Sequence, residues 1–525
     1  MKAFVVLIAT GCVSLSVAFA ADCESLASLK LKDAAITSSR TVAAGDFIPP
    51  EGPPNGPYKT LPSFCRVQGV SKPSADSQIE FEVWMPASGW NGKYFGIGNG
   101  GFAGSIQYSL MAAALHNGYA SSSTDTGHKG PATNAEWALG HYEKIVDFAY
   151  RSIHETAEKS KLVMQGYYGR NPKHSYFSGC SNGGRQALVE AQRYPADYDG
   201  IIAGAAANFW THNFAGFIWD EQALDGAAQI PPSKMPAIEK AALAACDARD
   251  GVEDGVIDDP TKCHFDPATL LCHGAESDNC LTAAQVGALK KIYDGPRNSK
   301  GEQIFPGYLP GAESGPGGWS RWIAGPDAQQ VVFGNGFFAN MVFQNAAWDF
   351  RSFNFDRDMK ITDDKSARIF NATDANLKAF KKGGGKLLMY HGWSDTAIAP
   401  VNAIVYYESV VKEMGAKQAG EFTQLYMVPG MQHCAGGPGP NSFGTNPSAT
   451  PSDPQHSMAR ALDRWVDQGV APSQVVATKF KTGANPESGV VRTRPLCPYP
   501  QVARYVGSGS TDDAANFKCA VPASK

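Results

Sequence analysis

The chain has 525 residues, of which 43% are hydrophobic and 18% charged, and a formal net charge of −4. This length allows two or more packed units, and the near balance of charge, with no run of lysine or arginine, argues against nucleic acid as a partner. Beyond the leader described next, no stretch approaches the roughly 18 apolar residues that cross a bilayer, so we expect no membrane contact in the mature form.

Residues 1–20 have the pattern of a signal peptide. Lys2 is followed by a mostly apolar run over residues 3–17 and by Ala18, Phe19 and Ala20, an A-x-A ending that suits signal peptidase. We expect cleavage near Ala20 and export to the periplasm or the medium. A lipoprotein acylated at Cys12 is the alternative.

The first part of the mature chain alternates between strand and helix patterns. The predicted elements are strands at residues 79–84, 93–96, 119–123 and 176–178 and a long amphipathic helix at residues 144–161. Such an alternation implies a parallel sheet with helices on both faces.

The composition changes after about residue 205. Prolines, aromatic residues, an acidic cluster and two short cysteine pairs dominate to about residue 370, and the strand and helix pattern then returns. The later elements are strands at residues 386–390 and 422–428 and helices at residues 401–414 and 457–468. We therefore predict an α/β core formed by residues 21–205 and 376–525, interrupted by a lid domain at residues 206–375.

A G-x-S-x-G sequence follows the strand at residues 176–178 and precedes helix-favouring residues 185–193. It consists of Gly179, Cys180, Ser181, Asn182 and Gly183. A strand, a sharp turn and a helix are the setting of a nucleophile elbow, so Ser181 is the candidate nucleophile. An ordinary tight turn is the alternative.

Acyl transfer by a serine also needs a base, a carboxylate that orients the base, and donors for the oxyanion. Asp395 follows the returning strand and His433 follows the next strand, which gives the Ser, Asp, His order of α/β-hydrolases. His391 is a rival base, and Asp395 has the alternative role of capping the next helix. For the oxyanion we predict the backbone N–H groups of Asn182 and Gly101, unless the glycine-rich segment is only a tight turn.

An acidic segment of the predicted lid has the composition of a site for a hard cation. Its carboxylates recur every three or four residues, at Asp247, Asp250, Asp254 and Asp258. Gly251 and Gly255 provide turns that fold carboxylates around an ion, and oxygen ligands of this kind favour calcium. A solvated acidic loop is the alternative.

The predicted lid also has an excess of aromatic residues. If the lid covers Ser181, some of these rings could stack on an aromatic acyl group, although we expect most of them in the lid core. They are Trp319, Trp322, Phe337, Phe338, Phe343 and Trp348.

Ten cysteines remain after the leader, an even set that predicts five disulfides in an exported chain. Cys180 precedes Ser181 and Cys434 follows His433, so a bridge between these cysteines would hold nucleophile and base together. In the loop-entropy model, closing so long a loop constrains the unfolded chain by about 5 kcal/mol. Sequence alone selects no connectivity, and buried or metal-bound thiols are the alternative. Pairs that would close short loops are Cys246 with Cys263, Cys272 with Cys280 and Cys497 with Cys519.

Together these motifs resemble the tannase and feruloyl esterase family of secreted serine esterases. The match runs over most of the mature chain and includes the elbow, the acidic segment and His433 with Cys434. Further matching stretches are residues 90–93, 98–104, 123–128 and 191–195.

The resemblance implies an α/β-hydrolase core with a lid domain, a catalytic triad, calcium in the lid and no organic cofactor. The implied triad is Ser181, His433 and Asp395. The implied calcium ligands are the carboxylates of Asp247, Asp250 and Asp254 and the carbonyls of Val252 and Val256. The implied disulfides pair Cys23 with Cys65, Cys180 with Cys434, Cys246 with Cys263, Cys272 with Cys280 and Cys497 with Cys519.

The expected function is hydrolysis of small phenolic acid esters, such as gallates or ferulates, through an acyl-enzyme. The family includes an esterase for terephthalate monoesters, in which a glutamate follows the nucleophile where this chain has Asn182. The lid arginine that binds the free carboxylate in that relative has no assigned counterpart here. The alternative functions are an aryl esterase for terephthalate monoesters, a serine peptidase or acyltransferase on the same fold, and a secreted calcium-dependent binding protein with an inactive site.

Overall fold

The computed structural model describes residues 22–50, 56–325, 327–446 and 453–522. The predicted signal peptide and the Cys12 alternative lie outside these residues. None of the helices in the described part of the chain is both long and apolar enough to cross a membrane.

Nine strands of the described residues form one central sheet. They are β1 (Ala34–Val42), β2 (Phe64–Ser71), β3 (Ile79–Pro86), β4 (Lys93–Ile97), β5 (Ala120–Thr124), β6 (His174–Cys180), β7 (Gly200–Gly204), β8 (Lys386–Gly392) and β9 (Thr423–Val428). Their spatial order is β1-β2-β3-β5-β4-β6-β7-β8-β9. Two small hairpins follow, β10 (Val475–Phe480) with β11 (Val490–Leu496) and β12 (Val502–Tyr505) with β13 (Phe517–Ala520).

The helices cover the faces of the sheet and fill the insertion. They are α1 (Tyr108–His116), α2 (Tyr142–Val146), α3 (Ser152–Tyr168), α4 (Asn182–Arg193), α5 (Trp210–Ala223), α6 (Met235–Cys246), α7 (Ala283–Asp294), α8 (Trp319–Trp322), α9 (Gln329–Phe337), α10 (Arg357–Thr362), α11 (Arg368–Phe370), α12 (Lys378–Lys382), α13 (Val401–Met414), α14 (Ala416–Gly420) and α15 (Met458–Gln468). A π-helical turn at Asp147–Arg151 joins α2 to α3.

The predicted parallel sheet is correct for one part of the sheet and wrong for the other. Strands β5, β4, β6, β7, β8 and β9 pair in parallel, whereas β1, β2, β3 and β5 pair antiparallel. Only a short loop separates β2 from β3, and parallel neighbours need a longer crossover. The sequence patterns did not predict β1, because Val42 is the one buried residue of this edge strand and four of its nine residues are serine or threonine.

Both faces of the sheet are buried, as the alternation of elements predicts. On one face α3, α4 and α13 contribute fully buried side chains such as Leu188 and Val410. On the other face α1 and α15 contribute Leu115 and Leu462. This arrangement confirms an α/β core.

The chain between β7 and β8 carries α5 to α12 and has a hydrophobic core of its own. Trp210, Phe214 and Phe337 are buried in that core, which also includes Phe102 from the segment after β4. Because Phe102 follows the carboxyl end of a parallel strand, the insertion packs against that edge of the sheet. The predicted limits of the lid domain, residues 206 and 375, stay predictions.

All five predicted disulfides are present. The structure pairs Cys23 with Cys65, Cys180 with Cys434, Cys246 with Cys263, Cys272 with Cys280 and Cys497 with Cys519.

Candidate active site

Ser181 lies at the sharp turn between β6 and α4. Its φ of 65° and ψ of −124° are rare for a residue with a side chain, and they are the strained conformation of a nucleophile elbow. The Ser181 N–H donates to the Gly204 carbonyl at 3.0 Å, which ties the turn to β7. A Cβ atom on Gly184 would lie 2.2 Å from the same carbonyl oxygen, so only glycine allows α4 to approach β7 this closely.

The Cys180–Cys434 disulfide joins the elbow to the loop after β9. The two Cα atoms lie 5.9 Å apart, although 254 positions separate these residues in the sequence. Ser181 and His433 are the immediate neighbours of the bridged cysteines. The bridge therefore holds the loop that carries His433 beside the elbow.

His433 is hydrogen-bonded to the buried carboxylate of Asp395. The distances from His433 Nδ1 to Oδ2 and Oδ1 are 2.9 and 3.1 Å, which assigns the Nδ1 proton to this contact and leaves Nε2 as the basic nitrogen. Burial by itself would raise the pKa of Asp395, but the charges and hydrogen bonds of His433 and His391 hold it well below its usual range. Asp395 is therefore ionised at neutral pH.

The alternative roles of His391 and Asp395 are not favoured by the geometry. His391 is fully buried, its Nε2 lies 3.1 Å from Asp395 Oδ2, and its Nδ1 has no hydrogen-bond partner among the described residues. This position suits a group that steadies the carboxylate. Asp395 Oδ1 accepts the N–H groups of Ala397 and Ile398, well before α13 begins, so the carboxylate does not cap that helix.

The glycine-rich segment after β4 is fixed by Asn99, a residue for which the sequence assigned no role. Its side-chain Nδ2 donates to the carbonyls of Ser105 at 3.0 Å and Thr124 at 2.9 Å, and its N–H donates to Gln186 Oε1 at 2.9 Å. Asn99 and Thr124 belong to two of the matching stretches noted above. The shared motif is therefore explained by contacts that lock the loop to β5 and α4.

His128 fixes the same segment from the other side. Its Nε2 donates to the Phe102 carbonyl at 2.8 Å, and its ring stacks on Trp137 with centroids 3.8 Å apart. Next to Phe102, Gly101 has a φ of 52°, and a Cβ atom there would lie 2.5 Å from the Ala132 carbonyl oxygen. Gly101 therefore has to be glycine, and its position depends on contacts that hold Phe102.

Arg185 is another residue that sequence reasoning missed. Its guanidinium is fully buried, and Nε and Nη2 donate to Asn182 Oδ1 at 2.9 and 2.7 Å. Nη1 donates to the Ala149 carbonyl at 2.6 Å. Burial lowers the pKa of Arg185 to about 9, so the side chain is still a cation at neutral pH. No sequence motif gives a signal for this contact, because Arg185 only continues the predicted helix.

A cavity of about 50 Å³ lies at Ser181. Gly101 and Asn182 line it, together with aromatic rings from α5 and from the later part of the insertion. These rings are Trp210, Phe214, Phe217, Trp322 and Phe333. No charged side chain of the described residues lines the cavity.

Of the six aromatic residues predicted as candidates, Trp322 is the one that lines this cavity. Its ring lies edge-on to His433, with centroids 5.0 Å apart. Trp319, Phe337 and Phe338 are fully buried in the core of the insertion, as expected for most of the set.

In the acidic segment, the carboxylates of Asp247, Asp250 and Asp254 have protein partners. Asp247 Oδ2 and Asp250 Oδ1 accept backbone N–H groups at 2.8 and 3.0 Å, and Asp254 Oδ2 lies 2.6 Å from a guanidinium nitrogen of Arg494. In the described ranges, no group of three or more His, Cys, Asp or Glu side chains is arranged to hold a metal ion. Calcium binding therefore stays a prediction.

Comparison with known proteins shows similarity over most of the chain. The family model described as tannase and feruloyl esterase matches residues 65–520. The chain is 44% identical to an uncharacterized esterase of Xanthomonas campestris pv. campestris, over 98% of this chain and 93% of that protein. It is 34% identical to a mono(2-hydroxyethyl) terephthalate hydrolase of Piscinibacter sakaiensis, over 88% of this chain and 85% of that protein.

Solved structures resemble the fold as well. The crystal structure of feruloyl esterase B from Aspergillus oryzae superimposes with a TM-score of 0.86 at 30% identity and covers 96% of this chain and 100% of that chain. The similarity therefore includes the insertion as well as the sheet.

Proposed function

Because this chain belongs to the tannase and feruloyl esterase family and is a carboxylic ester hydrolase, we propose that it cleaves phenolic acid esters with a triad of Ser181, His433 and Asp395. The main support is the disulfide that holds the loop of His433 beside the strained Ser181. The hydrogen bond from His433 to a buried, ionised Asp395 adds to it.

In the proposed reaction, His433 Nε2 takes the hydroxyl proton of Ser181 as Oγ attacks the ester carbonyl. The N–H groups of Gly101 and Asn182 donate to the oxyanion, and Asp395 stabilises the imidazolium that forms. His433 then gives its proton to the departing alcohol, which leaves an acyl-enzyme. Water attacks this intermediate by the same route and releases the phenolic acid.

The lining of the cavity supports a neutral aromatic acyl group. Five aromatic rings surround it, and no charged side chain of the described residues is present to pair with a free carboxylate. Burying an unpaired carboxylate is costly, so terephthalate monoesters should be poorer substrates than phenolic esters. They are the second candidate because a relative at 34% identity is a mono(2-hydroxyethyl) terephthalate hydrolase.

The test compares wild type with Ser181→Ala on methyl gallate, methyl ferulate and a terephthalate monoester. Ser181→Ala should abolish turnover of the phenolic esters while its circular dichroism spectrum stays native. Ser160→Ala is the matched control, because it removes a buried hydroxyl in α3. Unchanged turnover by Ser181→Ala would refute the triad, and faster cleavage of amides than of esters would favour a peptidase.

We also propose that calcium binds the acidic loop, through the carboxylates of Asp247, Asp250 and Asp254 and the carbonyls of Val252 and Val256. The donor set is all oxygen, as calcium prefers. Burial, with a smaller contribution from the charges of Asp254 and Asp247, raises the pKa of Asp250 to about 6. A divalent cation would neutralise this excess of negative charge and stabilise the loop.

Export is the last part of the proposal, and five disulfides support it because such bridges persist in oxidising compartments. N-terminal sequencing of protein recovered from the periplasm or the medium should begin at Ala21. A mature chain that begins at Met1 would contradict the proposal.

A further inference from the structure

Helix α5 lines the cavity at Ser181 with four residues on one face. Trp210, Asn213, Phe214 and Phe217 follow the spacing of a single helical stripe. Asn213 is the one residue of the four that is not aromatic, and only 2% of its surface is exposed. A buried amide among aromatic rings is unfavourable unless it forms hydrogen bonds.

Polar atoms of three residues that line this cavity have no hydrogen-bond partner among the described residues. They are Asn213 Oδ1, which is an acceptor, and Asn182 Nδ2 and Trp210 Nε1, which are donors. The orientation of the Asn182 amide is fixed, because its Oδ1 accepts from Arg185. A buried polar group without a partner is unfavourable, and a ligand that completes its hydrogen bonds would recover that loss.

Asn213 also borders a second, smaller cavity, which α5 lines with the neighbouring stripe of Asn213, Gly216 and Asp220. This cavity measures about 10 Å³, close to the space of one water molecule, and Asp220 and Tyr308 line it. The Oδ2 atom of Asp220 likewise has no partner among the described residues. Asn213 therefore has polar groups beside it in the second cavity, whereas its neighbours in the first cavity, Phe214 and Phe217, are apolar.

We propose that Asn213 recognises a free hydroxyl group on the ring of the acyl group and so selects phenols over their methyl ethers. A hydroxyl donates to Asn213 Oδ1 and still accepts from Trp210 Nε1 or Asn182 Nδ2. A methyl ether accepts from those donors but offers no proton to Asn213. The proposal rests on the phenolic esterase function proposed above.

The experiment uses two ester pairs that differ by one O-methyl group. They are methyl 4-hydroxybenzoate with methyl 4-methoxybenzoate, and methyl ferulate with methyl 3,4-dimethoxycinnamate. For wild type, kcat/KM should favour the free phenol by about 10- to 100-fold in at least one pair. In Asn213→Leu, which keeps the number and branching of the side-chain heavy atoms and removes the acceptor, the ratio should fall to near one or below.

Asn340→Leu is the matched control, because it replaces another buried asparagine of the insertion that does not line the cavity. It should keep the wild-type ratio. A phenol preference that survives in Asn213→Leu overturns the role of Asn213 alone. A wild type that cleaves 4-nitrophenyl acetate but none of the four esters overturns the substrate class together with that role.

A second measurement applies if Asn213→Leu fails to fold. Phenol and anisole are compared as competitive inhibitors of 4-nitrophenyl acetate hydrolysis, with wild type and with Asn213→Ala. Phenol should bind wild type about 10-fold more tightly than anisole, and Asn213→Ala should lose this difference. Equal inhibition of wild type by phenol and anisole contradicts the proposal.

Discussion

Two nitrogens of the Arg185 guanidinium donate to one atom, Oδ1 of Asn182, at 2.9 and 2.7 Å. Asn182 is the first residue of α4, and its N–H is one of the two proposed oxyanion donors. Arg185 has backbone carbonyls as its other hydrogen-bond acceptors and also packs on the Trp210 ring, with the guanidinium carbon 4.8 Å from the ring centroid. The buried cation therefore fixes the residue next to the nucleophile.

The first prediction tests this relationship with Arg185→Lys. Lysine keeps the charge but lacks the planar fork that reaches Asn182 Oδ1 and the Ala149 carbonyl together. We expect kcat for methyl ferulate to fall by about 10- to 100-fold while KM changes little, because an oxyanion donor acts in the transition state. Arg193→Lys, on the same helix but outside the cavity, is the control. Equal kcat values for the two variants would show that Arg185 does not position the elbow.

The second prediction separates the disulfide that joins the active-site loops from one that does not. Replacing Cys180 and Cys434 by alanine frees the His433 loop, and a displacement of about 1 Å can cost about 100-fold in rate. We therefore expect kcat/KM to fall at least that far. Loop entropy also predicts a loss of about 5 kcal/mol in the free energy of unfolding.

The matched control replaces Cys497 and Cys519, which close a loop of 22 residues at the C-terminal hairpins. This double variant should lose about 3 kcal/mol of stability and keep kcat/KM within about 3-fold of wild type. Denaturant unfolding and methyl ester kinetics measure both quantities. If the two double variants lose activity equally, the Cys180–Cys434 bridge has no special role at the site.

The third prediction concerns the stability of the fold in acid. His128 donates through Nε2 to the Phe102 carbonyl and is buried, so protonation of Nδ1 would place a positive charge in a site shielded from water. Burial lowers the pKa of His128 from 6.5 to about 4 in the folded state. The unfolded chain therefore binds the proton first as the pH falls.

This difference in pKa decides how the free energy of unfolding changes with pH. Above about pH 6.5 His128 has no effect, and between about 6.5 and 4 it should reduce the free energy of unfolding by up to about 3 kcal/mol. Urea unfolding at pH 7.5 and 4.5 should show a smaller acid loss in His128→Gln than in wild type. Replacement of the exposed His264 by glutamine is the control and should leave the acid loss unchanged. An acid loss in His128→Gln as large as in wild type would contradict the prediction.

Sequence patterns predicted the core well where local physics decides the structure. The helix predicted at residues 401–414 has those bounds, and the strands at 79–84, 93–96 and 386–390 lie within β3, β4 and β8. The elbow and its disulfide could be predicted because Cys180 and Cys434 are direct neighbours of the candidate residues Ser181 and His433 in the sequence. Each of these signals needs only a short stretch of chain.

The missed parts depend on contacts between distant segments. Asn213 and Phe333 reach the same cavity although they lie far apart in the sequence, and only the packing of the insertion brings them together. An arginine at position 185 fits the helix pattern whether it is buried or on the surface. The neighbouring sequence therefore does not show that Arg185 is fully buried. Strand β1 belongs to the sheet through pairing with β2, not through apolar alternation.

The last prediction tests calcium as a stabiliser of the acidic loop. A ligand that binds only the folded state raises stability by an amount that grows with its concentration, about 2.7 kcal/mol at 100 times its Kd. Treatment of wild type with a chelator should therefore lower Tm, and added calcium should restore it. Asp250→Asn should lose this response, whereas Asp278→Asn, at an exposed carboxylate of the insertion, should keep it. The loop is tied to β11 by Arg494, whose guanidinium contacts Asp254, so some order should remain without the ion. A Tm that is the same in chelator and in calcium would exclude a structural calcium site in this loop.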